Sequence, residues 1–222
     1  MVRSIFSSVL ALVLVGCGQT DFVTYSPTTI LAKYGYSIHV PPSSLHGPGN
    51  LVWKRQAASS SENQLILGDI CSPKFIAFPD SLSRSSAESL DFSKNRDFKF
   101  TANGLKKLGL QLSATYLSSV NISFKNTEVQ EYSLEDLRSI RNSLGPVCSD
   151  LLERQRAKGN AYQVVGAFKA DLEYKLTYKR AASAGIARLI QKELAAEFGI
   201  DFEGQQRQVG KGLFYGLYLD TL

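Results

Sequence analysis

The sequence predicts an α+β domain, preceded by a cleaved signal peptide, in which a mostly antiparallel β-sheet packs against about three helices. Side chains of residues 162–179 alternate between apolar and polar along most of the segment, the period of a strand with one buried and one solvated face. Val120, Ile122 and Phe124 alternate with polar residues in the same way. Residues 186–198 instead carry apolar side chains at helical spacing. Together these patterns favour helices packed on an antiparallel sheet.

The first elements expected after the N-terminal segment are a short helix and two strands. Ser26-Pro27 is typical of a helix start, because serine can cap the first turn and proline suits the first helical position. We expect Gly35 to end this helix. The proline- and glycine-rich residues 41–50 predict a loop without regular structure. Residues 51–53 and 64–71 then have the composition of two strands.

The middle of the chain combines a polar segment with a long alternating one. The serine-rich residues 81–95 predict a long mobile loop with a helical turn near residues 87–90. Residues 110–116 continue the alternation found at residues 120–124, so we expect either one long strand or a pair of strands there.

Two helices and the longest strand follow. Ser133-Leu134-Glu135-Asp136 fits a capping box, in which the serine side chain accepts a hydrogen bond from an amide of the first turn. Gly145-Pro146 interrupts this helix and opens a second one, whose apolar face carries Cys148. Because residues 162–179 exceed the usual length of a strand, we expect a bend or bulge near Gly166.

The C-terminal part of the chain predicts one helix and two strands. Gly199 stands directly after the helical pattern of residues 186–198, at the position that favours a left-handed residue. Residues 200–206 and 213–219 predict two closing strands, separated by Gly210-Lys211-Gly212.

The N-terminus has the pattern of an export signal. Residues 1–4 carry one positive charge, and the apolar run of residues 5–14 is shorter than the roughly 20 residues of a transmembrane helix. The run ends in Leu14-Val15-Gly16-Cys17, which resembles the lipobox of bacterial lipoproteins. In that family the cysteine is acylated with chains such as palmitate and becomes the first residue of the mature protein.

The resemblance implies a domain organisation and a location. We expect a signal peptide at residues 1–16, a lipidated N-terminus with a short tether at residues 17–26, and a single α+β domain at residues 27–222. Two acyl chains on Cys17 would hold the protein firmly, since each buried CH₂ contributes about 0.8 kcal/mol. Gly18 is not the aspartate that inner-membrane lipoproteins often carry, so the implied site is the outer membrane, facing the periplasm. The alternative is the outer leaflet of the cytoplasmic membrane.

The chain has three cysteines, and acylation of Cys17 leaves Cys71 and Cys148 as a pair. Disulfide bonds form and persist in oxidising compartments outside the cytoplasm. We therefore predict a disulfide between Cys71 and Cys148, with two separate buried thiols as the alternative. Closing a loop of this length contributes roughly 4 kcal/mol to stability in the chain-entropy model.

The net charge points to partners in the envelope. The formal charge is +5 and the isoelectric point is about 9.0, but the basic residues are scattered along the sequence, so we expect most of them to be simply solvated. An exported protein has little access to nucleic acid, so we expect no nucleic-acid partner. The expected partners are the membrane itself, and then envelope proteins or polyanionic polymers.

The sequence contains no recognised catalytic or metal-binding motif. His39 and His46 flank the proline- and glycine-rich loop, and without an acidic or cysteine partner at ligand spacing we expect loop histidines that have no role. Glu135 and Asp136 are neighbours in the first turn of a helix, where acids stabilise the helix dipole, so a glycosidase pair is not favoured. We predict no catalytic residue, no metal site and no cofactor.

Three tyrosines of the long strand raise the question of a ligand groove. Tyr162, Tyr174 and Tyr178 could line one, although tyrosines at strand spacing belong more often to a core or to the surface of a sheet.

The leading hypothesis is a lipid-anchored, periplasm-facing accessory, scaffold or binding protein, and we expect no enzymatic activity. One rival is an envelope hydrolase whose site is assembled from residues distant in sequence. The other is a membrane-active protein whose alternating segments insert as β-hairpins, with the charged side of residues 162–179 lining water.

Overall fold

The computed structural model describes residues 26–55, 64–90, 92 and 95–222. The signal peptide predicted at residues 1–16, and Cys17, lie outside this range. In the described residues, nine strands form one sheet and six α-helices accompany it. The α+β class with a large antiparallel sheet is thereby confirmed, whereas the predicted number of about three helices was too low.

The strands and helices have the following bounds. The strands are β1 (Ser37–Ser43), β2 (Leu51–Lys54), β3 (Gln64–Leu65), β4 (Leu67–Asp69), β5 (Ser83–Ser86), β6 (Asn95–Thr101), β7 (Leu117–Glu131), β8 (Tyr162–Tyr178) and β9 (Gln206–Thr221). The helices are α1 (Pro27–Lys33), α2 (Ala102–Lys107), α3 (Gln111–Tyr116), α4 (Leu134–Asn142), α5 (Pro146–Ala157) and α6 (Ala184–Phe198). Short 3₁₀ turns lie at Pro73–Phe75 and Ala87–Leu90.

Strand β8 is the centre of the sheet. It pairs with β9 along one edge and with β7 and then β2 along the other, always antiparallel. The outer strands β5 and β6 pair with β7, and β1 pairs with β9. The β1–β3 pairing is parallel. The register of β8 against β9 shifts between Val164 and Gly166, which confirms the expected irregularity near Gly166.

Four helices, α1, α2, α3 and α6, cover one apolar face of the sheet, and we call them the helix layer. The strand side of this core is rich in aromatic rings, and Phe124 and Phe168 are fully buried there. The helices contribute residues such as Leu31, Leu105 and Leu194, which are also fully buried. The layer is continuous, because α2 contacts α3, α3 contacts α6 and α6 contacts α1.

The remaining two helices, α4 and α5, form a second and smaller covering that we call the helix pair. Leu137 and Ile140 of α4 and Cys148 of α5 pack with Cys71, Ile76 and Tyr132. The side chain of Gln163 in β8 donates to the backbone oxygens of Gly49 and Leu137, both at 3.3 Å. This side of the molecule is therefore held by a small apolar cluster and by polar contacts to β8.

Residues 111–116 are helical and Leu110 is the N-cap, so the strand predicted at residues 110–116 was wrong. The segment forms α3, and the overlooked helix α2 precedes it. The carboxylate of Glu193 in α6 accepts hydrogen bonds from the amides of Leu112 at 3.4 Å and Ser113 at 2.7 Å. These amides belong to the first turn of α3, where backbone donors lack helical partners. A contact from a distant helix thus outweighs the local alternating pattern.

Three loop and strand predictions also need correction. Residues 81–95 contain strand β5, the predicted helical turn and the start of β6, instead of one long loop. Residues 41–43 belong to β1 and not to the loop predicted at residues 41–50. The β1–β9 register is irregular at Pro41 and Pro42, so the two missing amide donors are tolerated there. Residues 200–205 are not a strand, because Ile200 and Phe202 turn into the core, and the rest of the C-terminus is the single strand β9.

Candidate functional site

Cys17 lies outside the described residues, but the structure shows where the chain that follows it enters the fold. Ser26 stands nine residues after Cys17 and is the N-cap of α1, as predicted. Its hydroxyl oxygen accepts a hydrogen bond from the amide of Thr29 at 3.3 Å. It also bonds to the carboxyl group of Glu197 in α6, and burial raises the pKa of that group. The predicted tether therefore joins the fold at the helix layer.

The structure places the predicted cysteine pair at disulfide distance. The sulfur atoms of Cys71 and Cys148 are 1.87 Å apart and the two Cα atoms are 5.3 Å apart. Cys71 follows β4, and Cys148 lies in the first turn of α5, where Pro146 starts the helix. Both residues are buried. The bond therefore fastens the helix pair to the segment after β4.

The two histidines are buried and bonded to each other, and His39 lies in a strand instead of the predicted loop. His39 lies in β1, and His46 lies three residues after the end of β1. The Nε2 atom of His39 is 2.7 Å from the Nδ1 atom of His46. The Nε2 atom of His46 is 3.0 Å from a carboxylate oxygen of Asp69 in β4. The acidic partner stands 23 positions after His46, and only the sheet brings it close, so no local spacing could reveal it.

The bonding of this histidine–histidine–aspartate chain follows from its donors and acceptors. A carboxylate only accepts, so the Nε2 atom of His46 carries the proton that is donated to Asp69. With its proton on Nε2, the imidazole of His46 accepts a hydrogen bond from the Nε2 atom of His39 at its Nδ1 atom. Burial lowers the pKa of His39 to about 4, the neighbouring His46 lowers it further, and the backbone of Leu65 opposes both effects. His39 is therefore neutral near pH 7.

This cluster can fix ring orientation and pass a proton, but it lacks the third member of a hydrolytic site. Within the described ranges, no serine, threonine or cysteine side chain bonds to either imidazole. Both rings are also nearly inaccessible, with His39 3% and His46 9% exposed. The three side chains therefore form a hydrogen-bonded structural link between β1 and β4.

The three tyrosines of β8 do not come together in one groove. Tyr174 is buried in the core under the helix layer, with its hydroxyl bonded to the backbone of Glu203. Tyr178 packs at the edge of the same core. Tyr162 packs against a different cluster, and the Nζ atom of Lys54 lies 4.2 Å from its ring centroid. Tyr162 and Tyr174 stand twelve positions apart along β8, which corresponds to roughly 40 Å of extended strand.

The acidic neighbours Glu135 and Asp136 occupy the first turn of α4, as predicted. The Ser133 hydroxyl accepts from the amide of Asp136 at 3.1 Å and lies 2.8 Å from its carboxylate. This is the capping role of Asp136. Glu135, but not Asp136, lines a cleft of about 390 Å³ along α4, so the two carboxylates do not face it as a pair.

An open cleft of about 550 Å³ lies where β8 meets the start of α6. Two exposed cations stand at its wall, and each also contacts α3. The Nζ atom of Lys179 donates to the carbonyl oxygen of Ala114 at 2.8 Å. The guanidinium carbon of Arg180 lies 4.1 Å from the ring centroid of Tyr116. This cleft is basic and widely open to solvent.

Among the described residues, no three or more histidine, cysteine, aspartate or glutamate side chains are arranged so that they could hold a metal ion together. None of the helices described here has the length and apolar content needed to cross a membrane.

Comparisons with known proteins assign the chain to no family. No protein-family model matches it, and no curated protein is significantly similar to it. Among solved structures, it is similar to the structure of a bacterial gasdermin from Bradyrhizobium tropiciagri, with 13% identity, over 86% of this chain and 83% of that chain. The TM-score is 0.37, and a likeness of that degree assigns neither a family nor a function to this chain.

Proposed function

We propose that this protein is a lipid-anchored lipoprotein of the bacterial envelope that acts as an accessory, scaffold or binding protein. The pairing of Cys71 with Cys148 carries the proposal, because the third cysteine of the sequence is then Cys17, in the lipobox-like Leu14-Val15-Gly16-Cys17. A disulfide is stable in the oxidising compartments to which an export signal leads. The two features therefore support the same location by independent routes.

Acylation of Cys17 is the first test of this proposal. Cells expressing the full-length protein are fed an alkyne fatty acid, and label is measured after separation of membranes from soluble protein. We expect the wild type and a Thr20→Ser control to be labelled and to sediment with membranes. Cys17→Ser should lose the label and leave the membrane, because two acyl chains supply most of the binding. Continued labelling of Cys17→Ser would show that the anchor is elsewhere or absent.

Binding is the second test. In-cell crosslinking of the lipidated protein, followed by purification and mass spectrometry, should enrich a recurrent envelope component compared with an unrelated lipoprotein of equal abundance. The rival function, an envelope hydrolase, predicts turnover of cell-wall material by the purified protein and loss of that turnover in His46→Gln. Turnover without any enriched partner would replace the binding proposal with the hydrolase.

The long strands favour a second candidate function, membrane activity through β-hairpins. Strands β7, β8 and β9 have 15, 17 and 16 residues, whereas a tilted strand needs about 10 to cross a bilayer. Along β7 and residues 168–176 of β8, apolar side chains share one face and charged residues such as Lys125 and Glu173 lie on the other. The first part of β8 and the middle of β9 contribute to a second apolar cluster. Because the helix layer covers the apolar face, this function requires the layer to leave the sheet.

Dye leakage separates this candidate from the binding protein. Liposomes loaded with a quenched dye should release it when a membrane-active protein is added. A variant with cysteines at Leu112 and Leu189 crosslinked by a bifunctional reagent would hold α3 and α6 together and should leak less. Intact liposomes at all protein concentrations would exclude the hairpin mechanism for the isolated protein.

A further inference from the structure

The helix layer carries an uneven distribution of charge that no single stretch of sequence displays. Its helices and their flanks, residues 26–36, 101–116 and 178–198, include seven lysine and arginine side chains and two glutamates. All seven cationic residues are exposed. They are Lys33, Lys106, Lys107, Lys179, Arg180, Arg188 and Lys192. The outer surface of the layer is therefore strongly positive.

The two glutamates of the layer do not offset this charge at the surface. Glu193 is half-buried, and its carboxylate accepts the amides of Leu112 and Ser113 at the start of α3. Glu197 is also half-buried and bonds to Ser26. Both acids join one helix of the layer to another, so their carboxylates are engaged between the helices.

Four cations of the layer have no acidic partner. Within the part of the chain that the structure describes, Lys106 and Lys107 of α2 and Arg188 and Lys192 of α6 form no ion pair. Arg188 and Lys192 stand one helical turn apart, and Leu189, 56% exposed, lies beside them. An exposed apolar side chain between two cations is typical of a helix that lies on a membrane surface.

Outside the layer, acidic residues balance the cations, because the sequence has 18 further lysine and arginine residues and 18 further aspartate and glutamate residues. Some of these cations form ion pairs. On the polar face of the sheet, Lys125 lies 2.7 Å from Glu173 and Lys169 lies 3.6 Å from Glu128. On α5, Arg154 pairs with Asp150 at 2.6 Å and Arg156 with Glu153 at 2.8 Å. The net positive charge of the protein is thus concentrated in the helix layer.

The tether brings this same surface closest to the bilayer. The nine residues from Cys17 to Ser26 can span at most about 30 Å. A domain of this size has a radius of gyration of about 17 Å. An anchored domain whose chain enters at α1 therefore cannot easily present its far side to the membrane. The helix layer is the part of the domain that lies closest to the point where the tether joins the fold.

We propose that the outer surface of the helix layer is a docking surface for anionic lipid headgroups, and that it sets the orientation of the domain on the membrane. Lysine and arginine side chains attract anionic headgroups over about one Debye length, near 8 Å at physiological salt. The orientation deepens the proposed function and rests on the anchor at Cys17, whereas the attraction to anionic lipid rests on the charges alone. The two parts can therefore fail separately.

The test uses residues 17–222 with Cys17→Ser, which retain every described element and carry no acyl chain. Binding is measured by co-sedimentation with vesicles of phosphatidylcholine alone or of phosphatidylcholine with about one third phosphatidylglycerol. We expect binding to the anionic vesicles only, and release at high salt. Neutralising the four unpaired cations (Lys106→Gln, Lys107→Gln, Arg188→Gln, Lys192→Gln) should weaken binding on the order of 100-fold or more, since each basic residue near the surface contributes about fivefold.

A matched control removes the same net charge elsewhere. The variant Lys125→Gln, Arg154→Gln, Arg156→Gln, Lys158→Gln loses four cations from the sheet face and α5, and it should retain most of the binding. Equal losses in the two variants, or equal binding to neutral and anionic vesicles, would overturn the docking surface. Absence of acylation at Cys17 would instead overturn the anchor and leave the lipid-binding result standing. Circular dichroism of each variant confirms that the fold is intact.

Discussion

The helix layer and the helix pair both cover the sheet with helices, but different forces hold them. The layer rests on a large aromatic core that includes Phe124 and Phe168, and the described structure places no disulfide in it. The pair rests on a small cluster and on the Cys71–Cys148 bond. Their surfaces differ too, because the layer has unpaired cations whereas α5 pairs its arginines with acids.

The difference indicates that the stability of the helix layer does not depend on ion pairs at its surface. Burial of apolar side chains against the sheet stabilises the helix layer, so the residues on its outer surface are available for binding. The pair has too few buried apolar side chains to hold it as firmly, and a covalent bond supplements them. If this comparison is right, core substitutions should act mainly on the layer side and redox changes on the pair side.

The largest effect should come from the core under the helix layer. Phe124→Ala removes a fully buried ring that lies 5.1 Å from Tyr215 and 5.9 Å from Phe168, centroid to centroid. We expect a loss of about 3–5 kcal/mol in the free energy of unfolding, measured by denaturant titration. The same substitution at Phe75, 63% exposed beside the helix pair, should change it by less than about 1 kcal/mol. Equal losses would contradict the comparison.

Removing the disulfide should have the next largest effect. The double substitution Cys71→Ala, Cys148→Ala releases a loop closed over 77 positions, and we expect about 2–5 kcal/mol of lost stability. Hydrogen exchange should rise in α4 and α5 before it rises in α6. A reductant should destabilise the wild type by a similar amount and leave the double variant unchanged. A wild type that is indifferent to reductant would argue against a stabilising bond.

Acid should destabilise the side of the molecule that contains both histidines. An unfolded His39 binds a proton as the pH falls through 6.5, whereas the native residue stays neutral until a pKa of about 4. The unfolded state therefore binds more protons in this window, and stability falls as the pH drops from 6.5 to 4, by about 3 kcal/mol in total. His39→Gln should make the unfolding free energy less dependent on pH between 7 and 4. A variant with an unchanged pH profile would refute this origin.

The smallest effects should come from the helix caps, one in each covering. The side chain of Ser183 accepts from the amide of Ile186 at 3.4 Å in the layer, and Ser133 accepts from Asp136 at 3.1 Å in the pair. Ser183→Ala and Ser133→Ala should each cost about 1 kcal/mol, by thermal or denaturant unfolding. Substitution by aspartate should restore the cap in both helices. A much larger loss for one serine would reveal a role beyond capping.

Segments with a long, unbroken pattern were predictable, and segments decided by distant contacts were not. The alternation over residues 162–179 identifies β8, and the capping box and Gly199 identify the ends of α4 and α6. Residues 110–116 alternate equally well, yet Glu193 and the core hold them in a helix. A distant carboxylate overrides the local pattern there.

The candidate sites divide in the same way. The small number of cysteines predicts the contact between Cys71 and Cys148, because few pairings are possible. The bond between His39 and His46, and its extension to Asp69, depend on how β1 and β4 are placed in the sheet. The positive surface of the layer joins three segments separated by dozens of residues, so scattered lysines and arginines in the sequence conceal it.

The contact between Ser26 and Glu197 also has a mechanical meaning. A force applied to the chain before residue 26, such as the drag of an anchor in a moving membrane, enters the fold at this point. It would load α1 and α6 together, through the hydroxyl–carboxylate bond and the packing beneath it. The long strands distribute the remaining tension over many interstrand hydrogen bonds. Helices α1 and α6 would therefore be displaced before the strands of the sheet separate.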